Sequence, residues 1–499
     1  MSYVMGVDGG TESLRAFVFD LEGHPKGLGE AVYITRFPKA SWAEQDPVEW
    51  WDAFGKATHL AIQNAGISPN EIKAIGLDTT SCSVVALNHR MEPLRPALIW
   101  MDVRAGEEAQ DVSATKDPAL KINSAGDGPV SAEWMIPKAL WLKRHEAEIY
   151  TRARAICEFQ DYLNYRLTGE YVGSFNNFSI RWHFVKRNGG LPVSLLSILD
   201  LTDLIQKWPS TIVRPGEIVG ELTSEAAQHL GLSAGLPVVQ GGADAFIGMI
   251  GLGVMKPGQI ALITGSSHLQ LAVTGRPIFR RGLWGAYEDC VYEGSSVLEG
   301  GQTSTGSIIK WFTTNFCAGH SYAELDRAAA QIEPGADGLV VLDHFQGNRT
   351  PYTDPRSRGA FTGLTLAHTP AHLFRAIIES ACFGTEAILR AFQSGDFRVS
   401  EMVVSGGAAK STFWLQTHAD VSGVPLILKE VSEGPALGSA VLAAVGADLF
   451  GSIEDGVKAM VRTQARIEPD QKIHQRYSEL FDRYTHLYGA LKSLRSPTT

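Results

Sequence analysis

Residues 240–268, QGGADAFIGMIGLGVMKPGQIALITGSSH, place a lone carboxylate, Asp244, between two glycine-lined turns. A carboxylate among small residues can be brought against a hydroxyl group and take its proton, the work of a general base. An Asp in such a turn can also do no more than cap a helix. Downstream, a β-like run at 260–264 ends in Gly265-Ser266-Ser267. At the N-terminus, residues 3–7 read as a strand, Asp8-Gly9-Gly10-Thr11 as a turn and residues 14–19 as a returning strand. Glycine lets a backbone approach phosphate oxygens, Ser and Thr add hydroxyl donors, and turn N–H groups form an anion-binding concavity. Gly10, Thr11 and Glu12 on one turn, and Thr264, Gly265, Ser266 and Ser267 on the other, are therefore candidates for gripping one polyphosphate from both sides. Asp8 would organise Mg²⁺ through water, because magnesium keeps several waters and favours carboxylates plus substrate phosphates. The same Asp could also bond only its own turn. Arg15 could aim its guanidinium at the phosphates or lie exposed on its strand. No G-x-x-x-x-G-K-[ST] loop is present, which removes the P-loop kinases.

Positioning these groups takes the same strand, hairpin and strand unit twice, once in each half of the chain. That duplication is expected of the actin-like (ribonuclease H-like) ATPase fold, an α/β architecture with nucleotide in the cleft between two related domains. The 499 residues suit about three domains of usual size or two large ones. Further strands are expected at 72–78, 84–87 and 402–405, and helices at 133–145, 160–167, 304–315, 370–392 and from Ser411 to 421. Residues 188–192 read as a surface connection, and the tail from Ser493 to Thr499 is expected to fray. The domain boundary is placed at 235–241, giving an N-terminal domain 1–240 and a C-terminal domain 241–485, each with one phosphate hairpin.

With 44 Lys and Arg against 54 Asp and Glu, the formal charge of −10 argues against nucleic acid or an acidic membrane as the main partner. No apolar run is long enough to span a bilayer, and the N-terminus enters a strand at once, so a cytoplasmic enzyme is expected. The five cysteines are scattered, odd in number and without CxxC spacing, against disulfides and zinc. The histidines offer no catalytic constellation, and His268, beside the second hairpin, is expected to be neutral and hydrogen-bonded.

Residues 359–380, GAFTGLTLAHTPAHLFRAIIES, resemble the C-terminal signature of the FGGY carbohydrate kinases at every defined position, including Gly363, His372, Ala376 and Glu379. Asp8-Gly-Gly-Thr11, Gly241-Gly-Ala-Asp244, Ser405-Gly-Gly-Ala-Ala409 and Gly434-Pro-Ala-Leu-Gly438 extend the resemblance over nearly the whole chain. The N-terminal signature around Pro137-Lys138 is looser, with Met135 where it prefers Pro, Ser or Thr. The resemblance implies ATP and Mg²⁺ as cofactors, Asp244 as base, and adenosine held by Gly306, Lys310, Gly406, Gly407, Ala408 and Ser411. A plain strand-to-helix turn would use the last four for geometry alone, and Lys310 could be a solvated helix position.

Within the family, SAEWMIPK (131–138), EGGQTSTG (299–306) and FQGNRTPYTD (345–354) resemble kinases of ribulose. Residues 77–105 are closer to D-ribulose and polyol kinases, which leaves the stereochemistry open. Sugars are held by charged and amide side chains beside an aromatic wall, and the candidates are Ser81, Trp100, Asp102, Arg104, Glu133, Arg181 and Glu299. Trp100 and Trp134 could instead be core. Arg181 stands where the L-ribulose enzymes tend to carry Lys. The expectation is a ketopentose kinase closing two actin-like domains around sugar and MgATP, excluding water. Its partners are those small molecules, with a homodimer among the assemblies open to it. The alternatives are a polyol kinase for glycerol, erythritol or ribitol, a xylulokinase, or, outside enzymes, an actin-like ATP-binding assembly protein.

Overall fold

A computed structural model describes residues 2–393 and 397–493. Two mixed sheets dominate it. The first takes β1 (Tyr3–Gly9), β2 (Ser13–Asp20), β3 (Pro25–Val32), β4 (Ile72–Thr79), β5 (Ile218–Glu221) and β6 (Pro237–Ala243), in the spatial order β5-β6-β4-β1-β2-β3. The second takes β7 (Gln259–Thr264), β8 (His268–Thr274), β9 (Trp284–Glu288), β10 (Ser296–Gln302), β11 (Glu401–Gly406), β12 (Leu426–Lys429) and β13 (Thr463–Ile467), in the order β9-β10-β8-β7-β11-β12-β13.

The duplication read from the two hairpins extends through both sheets. From β3 across to β5 the pairings run antiparallel, antiparallel, parallel, parallel, antiparallel. From β10 across to β13 they run the same way. Each hairpin thus sits at the centre of its sheet, β1 is buried along its whole length, and the turn emerges where the central strands end. Ligands of open α/β sheets bind at such strand ends.

The helices follow local signals. In α1 (Pro47–Ala65) the Asp46 side chain accepts from the Val48 N–H, Pro47 takes the first turn, and Gly66 closes the helix at φ 64°. The expected helix 133–145 begins two residues late as α2 (Met135–His145), and 160–167 is found as α3 (Phe159–Thr168). Next come α4 (Phe175–Arg181), α5 (Asp244–Gly251), α6 (Gly306–Phe316), α7 (Pro370–Phe392), α8 (Thr412–Ser422) and α9 (Gly434–Gly446). The expected strand 84–87 exists, but in a separate four-stranded sheet with Glu44–Gln45, Ala97–Leu98 and Ala155–Glu158. Of the tail expected to fray, only Ser493 lies among the described residues, where it closes a helix, Gln471–Ser493.

The boundary expected at Gly241 falls inside β6, which pairs in parallel with β4 and is buried in the first sheet. Its glycines are a packing device: a Cβ at Gly241 would lie 2.0 Å from the Leu77 carbonyl oxygen. The C-terminal half also contributes to the first layer, since α9 lies on β1 and β4 and against α5. A Cβ at Gly6 would meet the Ala436 carbonyl oxygen at 1.9 Å, and one at Gly76 would meet that of Ser439 at 1.9 Å. One apolar cluster accordingly runs from Val4 and Phe19 through Ile247 to Ala440 and Leu442.

Candidate active site

The two hairpins open on one cavity of about 970 Å³, lined by both halves of the chain. In the first, the Gly10 N–H donates to the Ser13 carbonyl at 3.0 Å and the Tyr33 hydroxyl donates to the Gly10 carbonyl. Thr11 lines the cavity, and its hydroxyl accepts from the Trp100 indole N–H at 2.9 Å. Glu12 is exposed. In the second, β7 and β8 pair up to Thr264 opposite His268, leaving Gly265, Ser266 and Ser267 as an exposed tip on the cavity. The Ser266 carbonyl accepts from the Thr305 and Ser307 N–H groups at 2.9 and 3.1 Å, which stitches the start of α6 to the hairpin. Gly306 is required there, because a Cβ would lie 2.4 Å from the Gly265 carbonyl oxygen.

Two expected phosphate contacts are otherwise engaged. The Thr264 hydroxyl donates to the Ser405 carbonyl at 2.7 Å and accepts from the Ala408 N–H at 3.0 Å, tying β7 to the end of β11. Arg15 lies between two carboxylates, pairing with Asp8 and, at 2.6 Å, with Glu433 at the start of α9. It bridges the two halves of the chain.

Asp244 is the first residue of α5, half-buried in the cavity wall, and its Oδ1 accepts from the Ala245 N–H at 2.6 Å. Burial, followed by the charge of Asp8, pushes its carboxyl up to about 7, against the pull of the Ala245 N–H, Arg15 and Arg181. Asp8 itself is raised by burial against Arg15. Its cross-strand partner Asp78 is fully buried, accepts from the Ser439 hydroxyl at 2.6 Å, and is driven well up by burial and then by Asp8. Among the described residues no group of three His, Cys, Asp or Glu could hold a metal ion. The hard carboxylate oxygens of Asp8 suit a cation that completes its shell with water and phosphate.

On the opposite wall Ser81, Trp100, Glu133, Arg181 and Glu299 line the same cavity. Trp100 is 39 % exposed, whereas Trp134 is core. Arg181 pairs with Glu299 at 2.9 Å and donates to the Tyr287 hydroxyl at 2.9 Å, which in turn donates to Glu299 at 3.2 Å. Arg349 closes on Glu299 from the other side and lies 3.9 Å over the Trp284 ring. Burial pushes Glu299 up, but Arg181 and Arg349 outweigh it and hold the carboxyl below its usual value. Arg349, Tyr287 and Trp284 were not anticipated, although Arg349 lies within the quoted 345–354 segment.

Asp102 and Arg104 do not line the cavity. Asp102 is fully buried, accepting from the Ala43 N–H at 2.7 Å and from Arg104 at 2.6 Å. Arg104 also pairs with Glu44 at 2.7 Å and lies 3.5 Å over the Trp42 ring. The pair fixes the loop behind Trp100.

The residues expected at adenosine flank the second hairpin without lining this cavity. β11 ends with Gly406 at φ 90°, where a Cβ would meet the Thr264 carbonyl oxygen at 1.9 Å. Gly407 has open space beside it, Ala408 is buried and Lys310 is exposed on α6. Ser411 caps α8, accepting from the Trp414 N–H at 3.0 Å, and donates to Asp326 at 2.7 Å. His268 lines the cavity, is kept neutral by burial, and packs 5.6 Å from both Trp414 and His418.

Comparison with known proteins agrees with this geometry. The profile of the FGGY family of carbohydrate kinases, N-terminal domain, matches residues 3–251, and that of the C-terminal domain matches residues 260–447. The chain is similar to a xylulose kinase of Staphylococcus epidermidis, at 28 % identity over 98 % of this chain and 97 % of that one. It is similar to a ribulokinase of Shouchella clausii at 29 % identity, over 97 % and 94 % of the two chains. The solved xylulose kinase of Rhodospirillum rubrum superposes with a TM-score of 0.88 at 28 % identity, covering 99 % of each chain. This chain, in both its halves, belongs to the FGGY family of carbohydrate kinases and is an ATP-dependent sugar kinase.

Proposed function

We propose that this enzyme transfers the γ-phosphoryl group of MgATP to a hydroxyl of a ketopentose, with Asp244 as general base. The observation that carries the reading is that Asp244 lines the 970 Å³ cavity together with the exposed tip at 265–267 and the Arg181, Glu299 and Arg349 cluster. A base with a pKa about 7 is matched to proton transfer near neutral pH. As Asp244 takes the hydroxyl proton, the sugar oxygen bonds to the γ-phosphorus and the bond to the ADP oxygen breaks. Thr11 and residues 265–267 hold the phosphates, and the glycines 406–407 give adenosine a flat backbone. Asp8 would hold the hydrated Mg²⁺, which neutralises phosphate charge. The chain halves meet through α9 and α5, so closure excludes water from the reacting groups.

Similarity to proteins named xylulose kinase and ribulokinase supports a five-carbon ketose, and the two names differ in which one. The cluster supports a ketose over a polyol. Two guanidiniums around one carboxylate leave more donors than acceptors, which suits a carbonyl oxygen. An ADP-release screen over pentuloses, hexuloses and polyols is the test. Highest turnover on a pentulose is expected, and highest turnover on glycerol, erythritol or ribitol would replace the reading with a polyol kinase. ATP-driven sedimentation without sugar-dependent ADP release would replace it with an assembly protein.

A further inference from the structure

One wall of the cavity rests on a buried lysine and a buried glutamate that phosphoryl transfer does not use. Lys138, on α2, is fully buried and directs its ammonium at three backbone carbonyls: Cys82 at 2.7 Å, Ile99 at 2.7 Å and Leu98 at 3.2 Å. Glu158, at the end of the strand Ala155–Glu158, is equally buried. One of its oxygens accepts from the Cys82 N–H at 2.8 Å and the other from the Trp182 indole N–H at 2.6 Å. Cys82 is thus clamped at both ends of its backbone, N–H by the Glu158 carboxyl and C=O by the Lys138 side-chain nitrogen.

The clamp answers a local strain. Cys82 has φ 64°, a left-handed conformation that a residue with a Cβ keeps only when its surroundings hold it. Buried charges are also costly unless hydrogen-bonded, and here three ammonium donors and both carboxylate oxygens have partners. What they fix is the wall itself. Ser81 and Cys82 line the cavity, and Trp100, the residue after the Ile99 carbonyl, lines it beside them.

We propose that Lys138 and Glu158 are the positioning pair of the acceptor wall, holding residues 81–82 and Trp100 in the geometry that receives the sugar. The inference rests on the reading above that this side of the cavity takes the acceptor. Neither side chain touches substrate. Both act through the backbone, so their loss displaces the acceptor first and reaches the first nucleotide hairpin only through the Trp100 bond to Thr11.

The test uses Lys138→Met, which keeps the stem and removes the donors, and Glu158→Gln, which keeps the shape and one acceptor oxygen. Both are made in the full chain and assayed with the sugar turned over fastest. Displacing a bound group by about 1 Å costs roughly 100-fold, so kcat/KM for the sugar should fall about 10- to 100-fold in Lys138→Met and less in Glu158→Gln. The KM for MgATP and sugar-free ATP hydrolysis should change clearly less than the sugar kcat/KM, because the clamp reaches the first hairpin only indirectly, through the Trp100 indole N–H on the Thr11 hydroxyl. Cys82→Gly in the Lys138→Met background should recover part of the loss, since glycine takes φ 64° without a clamp. Equal loss in sugar and MgATP parameters, or an unchanged sugar kcat/KM in a folded variant, overturns the proposal. Should Lys138→Met fail to fold, Glu158→Gln alone decides it by the same split. A wild type inactive on every pentulose but active on another acceptor sinks the ketopentose reading and leaves the clamp testable with that acceptor.

Discussion

Asp244→Asn separates the base from its scaffold. The amide keeps the shape of the carboxylate and can still accept from the Ala245 N–H, now at 2.6 Å, but it cannot take a proton. A positioned base contributes roughly 100- to 10,000-fold, so kcat should fall by about two to four orders of magnitude. The structure adds a pH signature. Burial and then Asp8 push the wild-type carboxyl up to about 7, so half the free enzyme carries a protonated base there. The wild-type kcat/KM should therefore drop about tenfold for each pH unit below that value, and the variant should lack this limb. Stability gives an independent sign. A carboxyl whose folded pKa lies above its unfolded value binds more protons when folded, so the wild type loses stability as pH rises from the ordinary 3.8 to about 7 and is level above that. Asparagine removes that loss. Three units would be about 4 kcal/mol in full, and in a half-open cavity roughly 1–2 kcal/mol remains. Asp244→Asn should then melt a few degrees above wild type at high pH and no higher at low pH. Coupled ADP release across the pH range, with a melting curve at each pH, reads all of this. Near-normal turnover, or an unchanged acid limb in the folded variant, removes Asp244 from the proton transfer.

Thr11→Ala and Ser266→Ala should each raise the apparent KM for MgATP more than that for sugar, because the lost hydroxyl belongs to a hairpin facing phosphate; a larger shift in the sugar KM would misplace the clamp. Glu299→Gln should lower kcat/KM for the best pentulose at least tenfold, roughly 1.4 kcal/mol, with sugar-free ATP hydrolysis constant. Equal small losses across all sugars would make Glu299 structural. Gly6→Ala would press a Cβ to within 1.9 Å of the Ala436 carbonyl oxygen, and the overpacking should cost about 1–3 kcal/mol in a urea melt. An unchanged midpoint would mean that α9 is free to shift from the first sheet.

The parts of the fold legible in the sequence are those fixed by neighbours in the chain. The second hairpin and α7 with Pro370 after Thr369 carry local signals and stand where they were expected, while the first hairpin turns two residues later than expected because Asp8 and Gly9 still pair within β1. Gly241 and Gly242, read from the sequence as part of a glycine-lined turn, lie inside β6. Their real role is to let β6 lie close to Leu77 on β4 and to Asn176 on α4, partners far away in sequence. The same glycine signal served turn and packing alike.

Side-chain assignments divide on a similar line. Thr11, residues 264–267 and Asp244 are placed by the backbone, so a motif suffices to put them on the cavity, whereas Gly10 and Glu12 of the first tip do not line it. Where several groups compete for one carboxylate, spacing says nothing about the winner. Asp102 takes Arg104, two residues on, while Arg104 also reaches back to Glu44. Glu299 takes Arg181 and Arg349, each distant in the chain, together with Tyr287. That last outcome bears on specificity. A Glu299 already accepting from two guanidiniums and a phenol has little acceptor capacity left for sugar hydroxyls. On the proposed function, recognition would fall to guanidinium N–H donors of Arg181 and Arg349 not engaged by Glu299, which discriminate by what can accept from them. A ketose carbonyl accepts and cannot donate, whereas the hydroxyl of the matching polyol must also place its own proton on an acceptor of the lining, such as Glu133 or Gln346. If the acceptor is a ketopentose, as proposed, the contrast with its polyol would be set at Arg181 and Arg349 as much as at Glu299.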